Sequence, residues 1–287
     1  MTHAVLISRI KKLKKRRPFV QVETIGHSVL RKPIYALSVG EGAAQIMYNA
    51  AHHANEYITS MLLMRFAEEY ADYYAGLSGL TAGKTPTRWF IPMVNPDGVD
   101  LVTGAVKPGS REYACALSVY REKEPFPTGW KANIRGVDLN SNYPAGWETA
   151  RRIKYERGYT APGPREFVGT HPLSEPETVA MVNFTQSHNL GATVSLHTQG
   201  GEIYWRYADR EPPFARETAK YFALVSGYEC RDAQPEASHA GYKDWFIKEY
   251  NRPGFTIECG LGENPLPVAQ FDKIYRETVG ILSYNFT

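Results

Sequence analysis

Only three cysteines occur in the 287 residues, Cys115, Cys230 and Cys259, and no two of them form a CxxC pair. So sparse and odd a set builds neither a disulfide framework nor a cysteine metal site, and it fits a reducing compartment. No apolar run approaches the roughly 20 residues that a bilayer crossing needs. A charge excess is missing as well: 33 Lys and Arg face 30 Asp and Glu, a net charge of +3. That balance provides no general attraction to nucleic acid or to an anionic membrane. Met1 to Ile7 is mildly apolar and precedes the basic cluster. A secretory signal has the reverse order, so the expected location is the cytoplasm. Internal repeats and low-complexity linkers are also lacking. Aromatic residues are plentiful, with 19 Tyr, 12 Phe and 5 Trp, and this excludes a disordered chain.

Residues 9–17 carry seven positive charges in nine positions. They read as the solvated face of a short helix in a basic segment, 1–18; contact with an anionic partner is the sharper alternative. The remainder, 19–287, reads as one domain. β-rich runs at 34–39, 45–50, 88–94, 192–196, 203–206 and 254–258 alternate with helical patterns from 57, through about 186 from a capping box at Ser174–Glu177, and at 214–225 and 268–282. Alternation of this kind implies an α/β domain with a largely parallel sheet. The stretch 103–169 shows little periodicity and reads as a long functional loop.

Candidate chemistry sits where strands end. His53-Ala54-Asn55-Glu56 follows the 45–50 run at a strand-to-helix corner, the edge at which parallel α/β sheets bind ligands. An imidazole and a carboxylate at this spacing can converge on one zinc ion; a surface His with a first-turn Glu is an equal reading of the local text. His197 ends the 192–196 run beside a glycine-rich loop, and it could be a third ligand or a loop histidine. Glu258 ends the 254–258 run, where an acid is costly unless paired or working. Cys259 follows it and, in a strand, points to the opposite face, so all three cysteines read as structural.

Five motifs, His53-x-x-Glu56, Asn95-Pro96-Asp97-Gly98, Gly136-Val137-Asp138-Leu139-Asn140, Ser195-Leu196-His197 and Thr256-Ile257-Glu258, run in an order that resembles the zinc metallocarboxypeptidase family. The resemblance spans about residues 20–285. It implies a mixed, mostly parallel eight-stranded sheet flanked by helices, one Zn²⁺ held by His53, Glu56 and His197, Glu258 as the catalytic acid/base, and Arg135 as the oxyanion-stabilising arginine. Where the family usually has an arginine that clamps a terminal carboxylate, after Asp138-Leu139-Asn140, this chain has Ser141. A serine cannot form that bidentate pair.

The segments His53–Glu56, Trp130–Asn140 and Gly262–Pro267 resemble the γ-D-glutamyl-diamino acid endopeptidase branch. The implied substrate is a small peptidoglycan-derived peptide cut between γ-D-Glu and meso-diaminopimelate, with no nucleic-acid or membrane partner. The oligomeric state is not legible. Asn140, Ser141, Tyr242, Lys243 and Asp244 are the expected substrate-binding residues. For the last three the alternative is core packing of Tyr242 and Trp245 with a solvated Lys243. The competing functions are a zinc carboxypeptidase acting on ordinary peptides, with a clamp regained from Lys131 or Lys243, and an inactive peptide-binding scaffold.

Overall fold

A computed structural model describes residues 1–77, 85–121, 126–234 and 238–286. An eight-stranded sheet has the order β1-β2-β4-β3-β5-β8-β6-β7, formed by Gln21–His27, Pro33–Val39, Pro86–Ile91, Gly42–Ala50, Leu190–His197, Gly254–Glu258, Glu202–Tyr204 and Glu229–Cys230. The central strands β4, β3, β5 and β8 run parallel, while β1/β2, β2/β4 and β6/β8 are antiparallel. The carboxyl ends of β3, β5 and β8 therefore lie at one edge of the sheet.

Both faces are covered. Ile46, Tyr48 and Ala50 of β3 point into a core with α1 (His3–Arg16), α2 (Tyr57–Leu77), α7 (Ala215–Ser226) and α9 (Phe271–Leu282), whereas Met47 joins a second core with α6 (Pro176–Ser187) and α8 (Tyr242–Tyr250). This doubly buried pattern is what near-continuous apolar strands predict. Arg88 of β4 is buried too. Its guanidinium donates to the carbonyls of Leu282, Ser283 and Tyr284 and lies 4.6 Å from the Tyr70 ring centroid, which fixes the carbonyl-rich end of α9. None of the helices among the described residues is long and apolar enough to cross a membrane.

Several elements differ from the sequence expectation. Within 103–169 lie α4 (Arg111–Val119) and α5 (Trp147–Glu156); α4 buries Ala116 alone, and α5 buries Trp147, Ala150 and Lys154, too few apolar positions to produce a period. α3 (Pro96–Val102) is a short helix capped by Asn95, whose Oδ1 accepts from Gly98 N–H. β1 is an edge strand of mixed polarity, and its alternation is masked. The capping box at Ser174 does not form: α6 has Glu175 at its N-cap, and Ser174 Oγ donates to that residue's own carboxylate. In α1 the lysines face solvent as expected, with Arg9 paired to Glu68 and Arg16 and Arg17 to Asp72 of α2, but Leu6, Ile10 and Leu13 on the inner side enter the main core.

Glu177, in the first turn of α6, is fully buried and ties two distant segments together. Its carboxylate accepts from Val29 N–H and from Asn133 Nδ2. Burial, reinforced by Asp97 and Glu175, pushes its carboxyl from 4.5 up to about 7. The folded protein thus binds a proton that the unfolded chain has lost, so stability falls as pH rises from about 4.5 to about 7 and is level above that. The displacement corresponds to on the order of 3 kcal/mol. Glu177→Gln keeps the acceptor for Val29 and removes the titration. Denaturant unfolding at pH 5 and pH 8 should show a smaller stability difference for the variant than for the parent; an unchanged difference would assign the titration elsewhere.

Candidate active site

The corner after β3 is shaped by short-range contacts. Ala51 N–H donates to Thr59 Oγ1 at 3.0 Å, and that hydroxyl donates to the Glu56 carbonyl at 2.7 Å, which folds Ala54–Glu56 into a single 3₁₀ turn ahead of α2. His53 and Glu56 are thereby turned toward the end of β5. Across β5 and β8, His197 is in register with Glu258, and neighbours in register on parallel strands share a face. Cys259 points the other way into the main core, where burial pushes its thiol up.

His53 Nδ1 lies 2.8 Å from Glu56 Oε1, His197 Nδ1 lies 3.0 Å from Glu56 Oε2, and the two Nδ1 atoms are 3.1 Å apart. All three ligand groups are buried and offer atoms within 4.8 Å of one another. Ligand atoms around a tetrahedral zinc ion are separated by about 3.3 Å, so the donor set fits one zinc and leaves a fourth position to a non-protein ligand. The other ring nitrogen of His53 lies 3.1 Å from Asp138 Oδ1. That contact orients the imidazole and commits Nδ1 to the metal side.

The charges are strongly coupled. Burial opposes the charged form of His53, yet Glu56 and Asp138 outweigh it and raise the imidazole to about 9. Burial likewise opposes ionised Glu56, but His53 and His197 hold its carboxyl well below the usual range. At Glu258 the balance tips the other way: burial and the neighbouring Glu56 charge outweigh Lys131 and His53 and push it up to about 8.

Two expected site residues fall elsewhere. Arg135 does not line the cleft. Its side chain is 55% exposed, with Nη1 3.6 Å from Glu175, in a separate surface groove with Arg31 and Ser174. The chain folds back around Asn133, whose Oδ1 accepts from the N–H groups of Arg135 and Val137. Gly136 makes the turn at φ +78°, where a Cβ would come within 2.7 Å of Gly163 N. This turn sends Arg135 outward. Lys131, on the near side of it, points into the cleft, with Nζ 3.9 Å from Asp138 and 4.0 Å from Glu166. Burial lowers the Lys131 ammonium, but Asp138, Glu166, Glu56 and Glu258 more than reverse this and keep it charged. Tyr242 is the second correction. Its ring is fully buried beside Tyr143 and Trp245, its hydroxyl meets Thr185 at 2.8 Å, and only its backbone N–H reaches toward the site, donating to Asn140 Oδ1.

The other expected substrate-binding residues do come together. Asn140, Ser141, Lys243 and Asp244 line one cleft with His53 and Glu258. Lys243 is not solvated: at 6% exposure its Nζ bonds Asp244 Oδ1 at 2.6 Å and the Arg206 carbonyl at 2.7 Å. The cleft adds Asp138, Lys154, Glu166, Tyr204 and His239, which sequence reasoning did not single out. Asp138 alone carried a signal, as the acid of the Gly136–Asn140 motif.

An α/β sheet with a His-Glu-His group and a facing glutamate at its carboxyl edge defines a zinc peptidase. A family model described as zinc carboxypeptidase matches residues 6–280, and the chain belongs to that family. It is 42% identical over 285 residues to gamma-D-glutamyl-L-diamino acid endopeptidase 1 of Lysinibacillus sphaericus, covering 97% of this chain and 70% of the relative. Among solved structures, carboxypeptidase A from Helicoverpa armigera superposes with a TM-score of 0.74 at 18% identity, covering 98% of this chain and 71% of that one. Murein-tripeptide amidase MpaA from Escherichia coli O157 superposes with a TM-score of 0.56 at 19% identity, covering 93% of each chain. These two superpositions bear on the fold. The expected architecture, zinc dependence and peptidase class stand.

The purified protein should bind about one zinc per chain. His53→Ala and His197→Ala should each lower that occupancy severely by elemental analysis. Asp138→Asn should keep the ligands and weaken zinc affinity about 10- to 100-fold in a chelator competition. Full occupancy in both histidine variants would displace the site.

Proposed function

We propose that this zinc peptidase hydrolyses the bond between γ-D-Glu and meso-diaminopimelate in peptidoglycan-derived peptides. The observation that carries the reading is the cleft itself. Ser141 lines it where the family's carboxylate-clamping arginine is expected, and Lys131, Lys154 and Lys243 line the same cleft beside paired carboxylates. A γ-linked D-glutamate and a diaminopimelate bring carboxylates close to the scissile bond, and diaminopimelate ends in an amine and a carboxylate that suit Asp244 and Lys243. The 42%-identical relative carries an endopeptidase name of that specificity. The sparse, unpaired cysteines agree with action on soluble peptides in the cytoplasm.

When bound, zinc lowers the pKa of a water ligand and polarises the scissile carbonyl. Glu258 is the group that takes a proton from water and passes it to the leaving amine; it stands at the end of β8 in the cleft, in register with His197. Asp138 keeps His53 in the orientation that presents Nδ1 to the metal. Lys131 supplies the positive charge for the oxygen on which negative charge develops, the role expected of Arg135, and a well-placed donor of this kind is worth roughly 3–4 kcal/mol.

Glu258→Gln should retain zinc and substrate binding while turnover falls by roughly two to four orders of magnitude. L-Ala-γ-D-Glu-meso-diaminopimelate should be cleaved between its last two residues, and an ordinary α-linked L-peptide poorly. Replacing diaminopimelate with L-Lys should weaken cleavage in the parent and make little difference in Lys243→Ala. Mass spectrometry of the digests reads all three. Efficient release of C-terminal residues from ordinary L-peptides would establish the carboxypeptidase instead.

A further inference from the structure

One buried ammonium in the cleft has no part in the reaction described above. Lys154, in the last turn of α5, is 5% exposed and still lines the cleft with Ser141, Lys131 and Glu166. A buried ammonium is costly unless matched, and it carries three donors. Among the described residues Nζ of Lys154 spends one of them, in a short bond to Glu166 Oε2. The other oxygen of that carboxylate faces Lys131, whose Nζ makes no hydrogen bond among the described residues. Asp138, the other acid near Lys131, lies 3.9 Å from its Nζ and also meets His53 Nε2 and the N–H groups of Asn140 and Glu166. Glu166 and Asp138 thus match the two ammonium groups in charge, but Lys154 keeps two N–H donors without a partner among the described residues.

The backbone of Glu166 points the same way. It holds φ at +67°, uncommon for a residue other than glycine, and it does so while its N–H reaches Asp138 Oδ2. Such conformations persist where the surroundings enforce them, and they concentrate at ligand clamps. Lys243 has less to spare: Asp244 and the Arg206 carbonyl take two of its three donors, and the third serves the diaminopimelate side chain in the reading above.

We infer that Lys154, held in place by Glu166, recognises a free carboxylate of the substrate, the task that Ser141 cannot perform. The inference rests on the γ-D-Glu–diaminopimelate reading. With the side-chain carboxylate of diaminopimelate given to Lys243, two substrate groups remain with the required chemistry: the α-carboxylate that the γ-linkage leaves free on D-Glu, and the main-chain carboxylate of diaminopimelate when the peptide ends there.

Three substrates separate these sources: L-Ala-γ-D-Glu-meso-diaminopimelate, the same peptide amidated at the D-Glu α-carboxylate, and the peptide amidated at the diaminopimelate main-chain carboxylate. With the parent zinc enzyme, one of the amidations should raise KM about ten- to a hundredfold, the scale of one charge-assisted hydrogen bond, and which one does so identifies the group bound. In Lys154→Met the acid should be bound no better than that amide, so the KM ratio collapses toward one. Lys154→Met/Glu166→Leu leaves no unmatched charge at the pair and is measured alongside, with melting temperatures, in case the single variant does not fold. It too should lose the discrimination. Cleavage of all three peptides with equal KM by the parent, or discrimination that survives in both variants, overturns the inference and leaves the substrate reading intact. No cleavage of any of the three overturns the substrate reading and the inference with it.

Discussion

The carboxylate of Asp138 ties the site together. One oxygen takes His53 Nε2 at 3.1 Å and the Asn140 N–H at 3.2 Å; the other takes the Glu166 N–H at 3.3 Å and faces the Lys131 ammonium. The corner after β3, the turn that carries Asn140 and Ser141, and the segment around Glu166 meet on this one residue. Burial opposes its charge, but His53 and Lys131 hold it ionised well below the usual carboxylate range. A buried anion this well matched is stable only while all its donors stay in place. The metal ligand and the substrate cleft are therefore fixed by the same contacts, and neither can be reshaped alone.

The sheet centre was legible in the sequence because its strands are buried on both faces and bounded by charged or glycine-rich text. The run at 254–258 coincides with β8, and β5 extends the 192–196 run only to Leu190 and His197. The metal ligands were legible for the same reason, since each stands just past such a run. Arg135 shows where that kind of reading stops. Lys131 and Arg135 are four positions apart in one motif, and linear order does not say which side of a turn faces inward. The hydrogen bonds to Asn133 Oδ1 decide it. For Lys243 the local text leaves both pocket and solvent open. A lysine in the first turn of a helix can face either, and only the tertiary fold brings the Arg206 carbonyl to its ammonium.

Helices inside 103–169 were hidden because their buried faces are short, yet they matter to the site. α5 delivers Lys154, and its first residue, Trp147, donates from Nε1 to the Val168 carbonyl at 3.0 Å, close in sequence to Glu166. The cleft is thus assembled from weakly periodic segments around a strongly periodic sheet. Because Lys154 and Lys243 are buried, each of their pairs with a carboxylate interacts more strongly than it would in water.

The alternation along β8 has a consequence for how this protein can change. Glu258 faces the chemistry and Cys259, one residue on, is sealed in the core. A single residue inserted or lost within Gly254–Glu258 would exchange the two faces, placing an acid among Phe222 and Ile274 and a thiol opposite His197. Descendants of this sequence can vary the length of the segments that wall the cleft, but this five-residue strand is a reading frame, open to substitution on its core face and closed to any change in length.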